Sequence, residues 1–361
     1  MTDDQILSAF SDDYATARDR FRQAAAAAGW SLVSHDTGET GPRGERLTID
    51  VAESAPTRSD QPAFVLSSGL HGAEGHFGSA VQVAALETIA ADRSRTEATR
   101  AVFVHALNPY GFAWTRRCDA RNVDLNRAFR WPGMTDASPE TAYGRIDALL
   151  NPPRPPSRRD LFRLRLLAAA LKYGQAALKR TIASGQRSHP NGLFYAGFDV
   201  SPLQVWLDRE LPRWIGGAST VVHLDLHTGL GANGDATIII DYPVTDDARA
   251  WWHERSGQAT VRESLRDPQA YTASGSLGQW CVARSAPTQY RFAFAEFGTF
   301  AGTRVLAGLR AENQAHHWSP PSDPKIAESK ARLRELFCPG DRDWRLRAVR
   351  RALTMIQQTG C

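Results

Sequence analysis

The sequence is poor in cysteine and has no long hydrophobic run. Its 361 residues contain four cysteines, none in a Cys-x-x-Cys pair. This pattern excludes a small disulfide scaffold and argues against a cysteine-based zinc site, and it is typical of a reducing compartment. No apolar run approaches the roughly 18 residues that a transmembrane helix needs, so we expect no membrane partner. The acidic N-terminal stretch lacks an apolar core, so no signal peptide is expected. These absences predict a cytoplasmic protein.

An excess of charge of one sign is also missing. The 43 Lys and Arg residues nearly balance the 39 Asp and Glu residues, and the formal net charge is +4. So small a net charge predicts no nucleic-acid partner. A Gly-x-Ser-x-Gly motif is absent as well, which argues against a serine esterase. Nothing in the sequence indicates an oligomeric state.

What is present is an ordinary globular composition, with 42% hydrophobic and 23% charged residues. No internal repeat and no long linker divides the chain, so we predict one domain over residues 1–361. Helices are expected at 3–29, Gly75–Ala91, 158–184, Pro324–Phe337 and Asp343–Ile356. Strands are expected at Ser31–Val33, Leu47–Val51, Ala63–Ser67, Ala101–Leu107, Thr220–Leu226, Ala236–Ile240 and Tyr290–Phe297. Strands that alternate with helices predict an α/β fold with a mixed, mostly parallel central sheet flanked by helices.

The composition of the sequence changes between Trp131 and Trp214. Four prolines at 152–156 break the chain, and the helical stretch over 158–184 carries many basic residues. Its leucines and alanines recur at helical spacing, which predicts an inserted helical hairpin that covers the sheet. The alternative interpretation is a basic surface for an acidic partner.

The first candidate metal ligands are His71 and Glu74, which follow the strand Ala63–Ser67. Imidazole nitrogen and carboxylate oxygen are both common zinc ligands, and the spacing i, i+3 brings them together in a turn. Glycines at 69, 72 and 75 permit a tight loop there. The alternative interpretation is a polar loop histidine beside a charge at a helix start.

A second candidate lies in the strand that ends at His227. In a strand of period two, His223, Asp225 and His227 share one face. His227 comes at the C-terminal end of the strand, where α/β sheets present ligands, and it completes a His/Glu/His set. Asp225 is placed to orient a histidine from behind. For His223 we expect a buried, hydrogen-bonded residue.

Two further segments carry polar candidates. Arg116 and Arg117, and later Asn126 and Arg127, lie in a long loop after a buried strand, and arginine suits the binding of a carboxylate. Glu296 ends an aromatic and apolar strand, so burial should raise its pKa, as suits a base that takes and returns a proton. Tyr271 lies in a Gly/Ser loop upstream and is a candidate phenol donor. For each group the structural alternative is an ordinary loop or core residue.

Taken in chain order, these segments resemble the zinc carboxypeptidase superfamily, which also contains succinylglutamate desuccinylase and aspartoacylase. The matching motifs are His-x-x-Glu after a strand, Asn-Pro-x-Gly-Phe, Asp-Leu-Asn-Arg, Asp-Leu-His-Thr-Gly, and a late strand-end Glu followed by Gly-Thr. The N-terminal stretch further resembles an uncharacterised bacterial carboxypeptidase-like branch. The resemblance covers about residues 10 to 315 and implies the three-layer fold of that superfamily.

The resemblance also implies roles for the candidate residues. His71, Glu74 and His227 match the ligands of one zinc ion per chain, and Glu296 matches the general base. One of Arg116 and Arg117 matches the arginine that stabilises the oxyanion. We prefer Arg117 there and assign Arg116 to substrate binding. The remaining matches are Asn126 and Arg127, which hold the terminal carboxylate of the substrate, and Tyr271, which is similar in context to a mobile tyrosine.

These assignments predict a zinc-dependent hydrolase of an amide bond near a free carboxylate. Its substrate would be a small peptide or an N-acyl amino acid, so the enzyme is either a carboxypeptidase or a deacylase. The alternative is a non-catalytic, zinc-stabilised module whose basic insertion docks an acidic partner. Glu296 separates the two, because a structural zinc site needs no base beside an open coordination position.

Overall fold

The described part of the chain forms eight strands and fourteen helices. The computed structural model describes residues 1–134, 140–157, 159–266, 274–285 and 289–360. The strands are β1 Ser31–Thr40, β2 Arg46–Glu53, β3 Ala63–Ser68, β4 Arg100–His105, β5 Thr220–Thr228, β6 Ala236–Ile240, β7 Thr260–Glu263 and β8 Gln289–Phe297. The helices are α1 Asp3–Ser8, α2 Tyr14–Ala27, α3 Gly75–Ala91, α4 Pro109–Ala113, α5 Glu140–Gly144, α6 Asp147–Leu150, α7 Phe162–Tyr173, α8 Gln175–Ala183, α9 Pro202–Ile215, α10 Asp246–Arg255, α11 Leu277–Arg284, α12 Gly302–Trp318, α13 Pro324–Phe337 and α14 Arg342–Thr359.

The strands form one mixed sheet in the order β1-β2-β4-β3-β5-β8-β6-β7. The four central strands β4, β3, β5 and β8 run parallel to one another. Antiparallel pairs join β1 to β2, β2 to β4 and β6 to β8. Helices flank this sheet, with α3 and α9 both against β3. The predicted α/β class with a mixed, mostly parallel sheet is therefore confirmed.

The register of the central strands brings polar residues together at one edge of the sheet. Ser67 on β3 pairs with Asp225 on β5, and His227 on β5 pairs with Glu296 on β8. Paired residues of neighbouring strands project from the same face. Because β3, β5 and β8 are parallel, their C-terminal ends meet at one edge, where open α/β sheets bind ligands.

The insertion packs as a second hydrophobic cluster. Phe162, Leu178 and Ile182 from α7 and α8 meet Val305 and Leu309 of α12. The hairpin that the sequence predicts to cover the sheet packs on α12 instead, whereas α9, which closes the insertion, contacts β3. Organisation as a single domain over 1–361 stays a prediction. No described helix is both long enough and apolar enough to cross a bilayer.

Two predicted helices are each broken in the structure. The stretch 3–29 divides into α1 and α2, because the Asp13 carboxylate accepts a hydrogen bond from the Thr16 amide and starts a new helix. The stretch 158–184 divides at Gly174, whose φ of +84° ends α7. The sequence pattern does not predict the short edge strand β7.

Candidate metal centre

The turn after β3 places His71 and Glu74 at the C-terminal edge of the sheet. Residues Gly72–Glu74 form a 3₁₀ turn that leads into α3. A Cβ atom at Gly72 would lie 2.0 Å from the carbonyl carbon of Gly111 in α4, so only glycine fits. The Gly72 amide donates to the Arg117 carbonyl at 3.2 Å, which fixes the turn beside the next loop.

His71, Glu74 and His227 form a compact, buried cluster. The Nδ1 atom of His71 lies 2.9 Å from Oε1 of Glu74, and the Nδ1 atom of His227 lies 3.1 Å from Oε2. One ligand atom from each residue falls within 4.8 Å of the others. All three side chains are buried. This is the spacing at which two imidazoles and a carboxylate hold one metal ion.

A second carboxylate stands behind each histidine. Asp225 Oδ2 lies 2.6 Å from His227 Nε2, and Asp124 Oδ1 lies 3.3 Å from His71 Nε2. A carboxylate on the far ring nitrogen fixes the orientation of a ligating histidine and makes it a stronger donor. The donor set therefore fits a divalent cation of the zinc type. The sequence predicts Asp225 in this role but gives no signal for Asp124 beyond its place in Asp-Leu-Asn-Arg.

Burial and neighbouring charges determine the protonation of the cluster. Burial acts to raise the pKa of Glu74, yet His71 and His227 together hold it below its ordinary value. Burial acts to lower the pKa of His227, yet the carboxylates of Asp225 and Glu74 hold it well above its ordinary value. The cluster thus has anionic oxygen beside the imidazole of His227, whose proton a metal ion would displace.

His223 is buried and hydrogen-bonded, as the sequence analysis expects. Its Nδ1 atom lies 2.8 Å from the Tyr290 hydroxyl and its Nε2 atom 2.7 Å from the Ser67 hydroxyl. Burial lowers its pKa to about 4, so the ring is neutral at pH 7. Ser67 in turn donates to Asp225 at 2.6 Å. A chain of hydrogen bonds thus runs from His223 through Ser67 and Asp225 to the Nε2 atom of His227.

Glu296 lies beside His227 in the strand register. Its Oε1 atom accepts a hydrogen bond from the Leu230 amide at 2.8 Å. Burial, and then the negative charge of Glu74, raise the pKa of Glu296 to about 8. The side chain is 8% exposed. A buried carboxyl with a raised pKa next to a metal-type cluster is the environment of a proton-transfer group.

The two neighbouring arginines point to different partners. Arg117 donates from Nε to Asp124 at 2.8 Å, and its Nη2 atom lies 2.7 Å from His71 Nε2. Arg116 is instead buried in an ion pair with Glu312 of α12, at 3.0 Å. The expectation that Arg116 binds substrate is therefore corrected, because its guanidinium serves this internal pair. Arg117 is the arginine at the cluster.

Asn126 and Arg127 follow Asp124 in a 3₁₀ turn, Leu125–Arg127. The Asn126 Oδ1 atom accepts a hydrogen bond from the Leu277 amide at 3.0 Å. Arg127 is buried, and its Nε atom donates to the Ala183 carbonyl at the end of α8, at 2.8 Å. The turn thus joins the insertion to the start of α11. Binding of a substrate carboxylate by these residues stays a prediction, and Tyr271 lies outside the described residues.

Phe194 is a site residue that carries no sequence signal. Its backbone has a φ of +59°, an uncommon conformation for a bulky residue. The Arg117 guanidinium carbon lies 5.2 Å from the centre of its ring, a cation–π distance. The insertion therefore contributes a strained aromatic residue to the neighbourhood of the cluster.

Comparison with known proteins gives one family and several solved structures. A family model described as a protein of unknown function (DUF2817) matches residues 10–351. No curated protein matches the chain. The motifs predict the zinc carboxypeptidase superfamily, and structures named carboxypeptidase A and a murein-tripeptide amidase are among those that match.

Three of these structures illustrate the similarity. Bovine thrombin-activatable fibrinolysis inhibitor is 11% identical, with 91% of this chain and 96% of that chain covered and a TM-score of 0.49. Carboxypeptidase A from Helicoverpa armigera is 13% identical, with 87% and 71% covered and a TM-score of 0.48. Murein-tripeptide amidase from Escherichia coli O157 is 14% identical, with 81% and 94% covered and a TM-score of 0.37. At these values the matches carry no argument about activity.

Proposed function

The chain belongs to the DUF2817 family, and we propose that it is a zinc-dependent hydrolase of an amide or peptide bond next to a free carboxylate. The observation that supports this proposal is the buried cluster of His71, Glu74 and His227, in which each histidine has a carboxylate behind it and a proton-transfer carboxyl lies alongside. A metal ion held only for stability does not need that last group.

His71, Glu74 and His227 would hold one zinc ion. When bound, zinc polarises a carbonyl group and makes water a strong nucleophile at neutral pH. Asp124 and Asp225 would keep the Nδ1 atoms of the two histidines unprotonated by accepting the proton at Nε2. In that tautomer His71 Nε2 no longer accepts from Arg117 Nη2, so this atom would be available to a substrate oxygen while Nε stays on Asp124.

The remaining residues would handle protons and charge. Leu230 orients the Glu296 carboxyl through Oε1, and we assign the other oxygen to take a proton from water and return it to the leaving amine. Arg117 would stabilise the oxyanion, a contact whose loss typically costs ~10²–10³ in rate. Asn126 and Arg127 would hold the substrate carboxylate, and Tyr271 would act as a phenol donor.

A cytoplasmic location is part of the same proposal. Cys118, Cys281 and Cys338 are all free and buried, which fits a compartment that keeps thiols reduced. Burial raises the pKa of each of these thiols, so none is a reactive thiolate at neutral pH.

The test is a turnover screen with the zinc-loaded protein. It compares free-acid peptides, the same peptides with amidated C-termini, and N-acyl amino acids. We expect hydrolysis of at least one free-acid class and loss of turnover on amidation. Equal cleavage of free acids and amides would contradict the carboxylate requirement and leave only a general metallohydrolase.

Glu296→Gln separates the hydrolase from a non-catalytic zinc module. Glutamine is nearly isosteric but cannot act as a base, so we expect turnover to fall by ~10²–10⁴ while zinc binding and thermal stability persist. Glu39→Gln is the control, because Glu39 is also a partly buried carboxyl with a raised pKa but lies in the edge strand β1. A Glu296→Gln variant that keeps parental turnover would assign the proton transfer to another group.

A further inference from the structure

Helix α7 of the insertion is apolar on two sides, and only one side is packed. Phe162, Leu166 and Tyr173 face the second hydrophobic cluster. The opposite side carries Leu164, Leu167, Ala168 and Leu171, which we call the leucine stripe. Leu164 is 62% exposed, Leu167 58% and Leu171 81%. An apolar stripe on a helix normally packs against another element, whereas this one has no partner within the described part of the chain.

Basic residues border the leucine stripe on both sides. At 100° per residue, Arg163 falls along one border of the stripe, and Arg165 and Lys172 fall along the other. All three are exposed. Residues 159–187 contain seven Lys or Arg residues and a single acidic one, Asp160. The α7 surface therefore combines exposed leucines with three exposed cations.

The carboxylate of Asp160 does not neutralise the basic border at Arg165. Asp160 pairs with Arg310 at 2.7 Å and lies 3.7 Å from Arg154 and 3.9 Å from Arg165. One negative charge is thus shared among three guanidinium groups. Arg165 is therefore only partly neutralised, and it stays a cation at the border of the leucine stripe.

A groove of about 350 Å³ lies along the Arg165–Lys172 border, between α6 and α7. Arg145, Arg165 and Lys172 line it together with apolar and aromatic side chains such as Leu149 and Tyr173. Among the described residues that line it, none is acidic. The groove therefore places three cations beside apolar side chains, a lining that suits a phosphate-type anion attached to a hydrocarbon group.

We propose that the leucine stripe and this groove dock the protein onto an anionic phospholipid surface. Amphipathic helices bind membrane interfaces with leucines in the acyl boundary and Lys or Arg residues at the head groups, and the α7 surface has that arrangement. A second copy of the chain is disfavoured as the occupant, because it would bring the same cations into contact. The sequence analysis expects no membrane partner from the lack of a spanning helix, whereas interfacial docking requires none.

Co-sedimentation of the full chain with vesicles tests the proposal. Vesicles of pure phosphatidylcholine are compared with vesicles rich in phosphatidylglycerol, at low and high sodium chloride. We expect binding to the anionic vesicles only, weakened by salt. Absence of binding to the anionic vesicles would overturn the proposal.

Two double variants probe the two halves of the surface. Arg165→Gln with Lys172→Gln should weaken binding by about 25-fold, from roughly five-fold for each charge near an anionic surface. Leu164→Ser with Leu171→Ser should weaken it by at least about ten-fold, because the leucines no longer enter the acyl boundary. Matched controls are Arg58→Gln and Val33→Ser, which alter exposed residues outside the insertion and should bind as the parent does.

Two further measurements separate lipid docking from misfolding of a variant and from binding of an acidic protein. Each variant should keep the parental circular-dichroism spectrum and parental turnover of a soluble substrate, so this test is independent of the proposed hydrolysis. Soluble polyglutamate serves as an acidic protein surface. If it binds as tightly as the vesicles do and the leucine variants bind normally, the surface recognises an acidic protein and the lipid proposal is wrong.

Discussion

Asp225 illustrates how a residue outside the metal cluster can control it. Its carboxylate contacts His227 Nε2 through one oxygen and accepts a hydrogen bond from Ser67 through the other. Asparagine in this position offers only a neutral acceptor, which lowers the basicity of the imidazole. Asp225→Asn should therefore weaken zinc binding by about 10–100-fold.

Competition with a chromogenic chelator measures this effect directly. Asp19→Asn is the control, since Asp19 is an exposed helix residue with no contact to the cluster. A parental zinc affinity in Asp225→Asn would show that Ser67 and the strand alone suffice to orient His227.

Asp241 gives a prediction on stability and pH. The side chain is buried after β6, and its Oδ1 atom has no hydrogen-bond partner among the described residues. Burial raises its pKa from 3.8 to about 6, although Ser276 and Arg127 oppose the shift. The pKa of Asp241 is higher in the folded chain than in the unfolded chain. The contribution of Asp241 to stability is therefore full below pH 3.8 and is lost as the pH rises through about 6.

Asp241→Asn should consequently stabilise the protein at pH 8 and change little at pH 4. The shift corresponds to about 3 kcal/mol at most, at 1.36 kcal/mol per pKa unit. Urea unfolding of the variant and the parent at the two pH values measures the difference. The exposed carboxyl of Asp235 supplies the control, as Asp235→Asn, which should show no such pH dependence. Equal stability of Asp241→Asn and parent at pH 8 would refute the argument.

At the residue scale, the sequence predicts local groupings better than distant ones. The three-residue spacing of His71 and Glu74 and the alternation in β5 are local patterns, and the structure brings those residues together. The choice between Arg116 and Arg117 depends on Glu312, which lies almost 200 positions further along the chain. No local pattern around the two arginines contains that information.

At the element scale, apolar periodicity predicts the central strands and α3 well. It misses the boundaries that single residues impose, such as the Asp13 cap and the left-handed Gly174. It also misses β7, whose four residues are half exposed and form an edge of the sheet. Buried elements leave a strong pattern because both faces must be apolar, whereas edge elements leave a weak one.

The close contact between the Gly72 turn and α4 leads to a prediction about stability and zinc binding. A Cβ atom at position 72 would meet the backbone of Gly111 and Phe112 at 2.0 to 2.3 Å, so the turn or α4 must shift. Gly72→Ala should cost about 1–3 kcal/mol of stability. It should also reduce zinc affinity more than ten-fold, because His71 and Glu74 flank the displaced residue.

Gly302→Ala is the matched control for this test. A Cβ atom at Gly302, the first residue of α12, would meet nothing within 4 Å. Alanine is the better helix former, so Gly302→Ala should be neutral or slightly stabilising with parental zinc affinity. Calorimetry and chelator competition on both variants give the comparison. Parental zinc affinity in Gly72→Ala would mean that α4 moves to relieve the clash and that the turn keeps its position.

At the scale of the whole molecule, the sequence pattern does not predict the order of the strands in the sheet. Consecutive strands β3 and β4 are neighbours, but β5 and β8 lie together although about 60 residues separate them. Segments from four distant parts of the chain thus meet at the cluster, carrying His71, Arg117, His227 and Glu296. The family resemblance implies this meeting for all four residues, whereas spacing and strand-end position predict only that His227 joins His71 and Glu74.

Such a cluster links metal binding to the stability of the entire fold. Glu74, Asp124 and Asp225 are all buried carboxylates around two histidines, and their correct spacing exists only when β3, β5 and the loop after β4 are assembled. A metal ion that binds this assembly and not the unfolded chain stabilises the folded state by mass action. Zinc at 100 times its Kd should therefore add about 2.7 kcal/mol to the free energy of unfolding.

Thermal unfolding with a zinc titration, after removal of metal with a chelator, measures this linkage. The parent should gain stability with each increment of zinc, and His71→Ala and His227→Ala should lose most of that gain because two of three ligands hold the ion weakly. His253→Ala, which changes a histidine on the surface helix α10, should respond as the parent does. If His71→Ala and His227→Ala gain as much stability as the parent, zinc binds elsewhere on the chain. The hydrolase proposal would then lose its metal site, while the lipid-docking surface on α7 would stand unaffected.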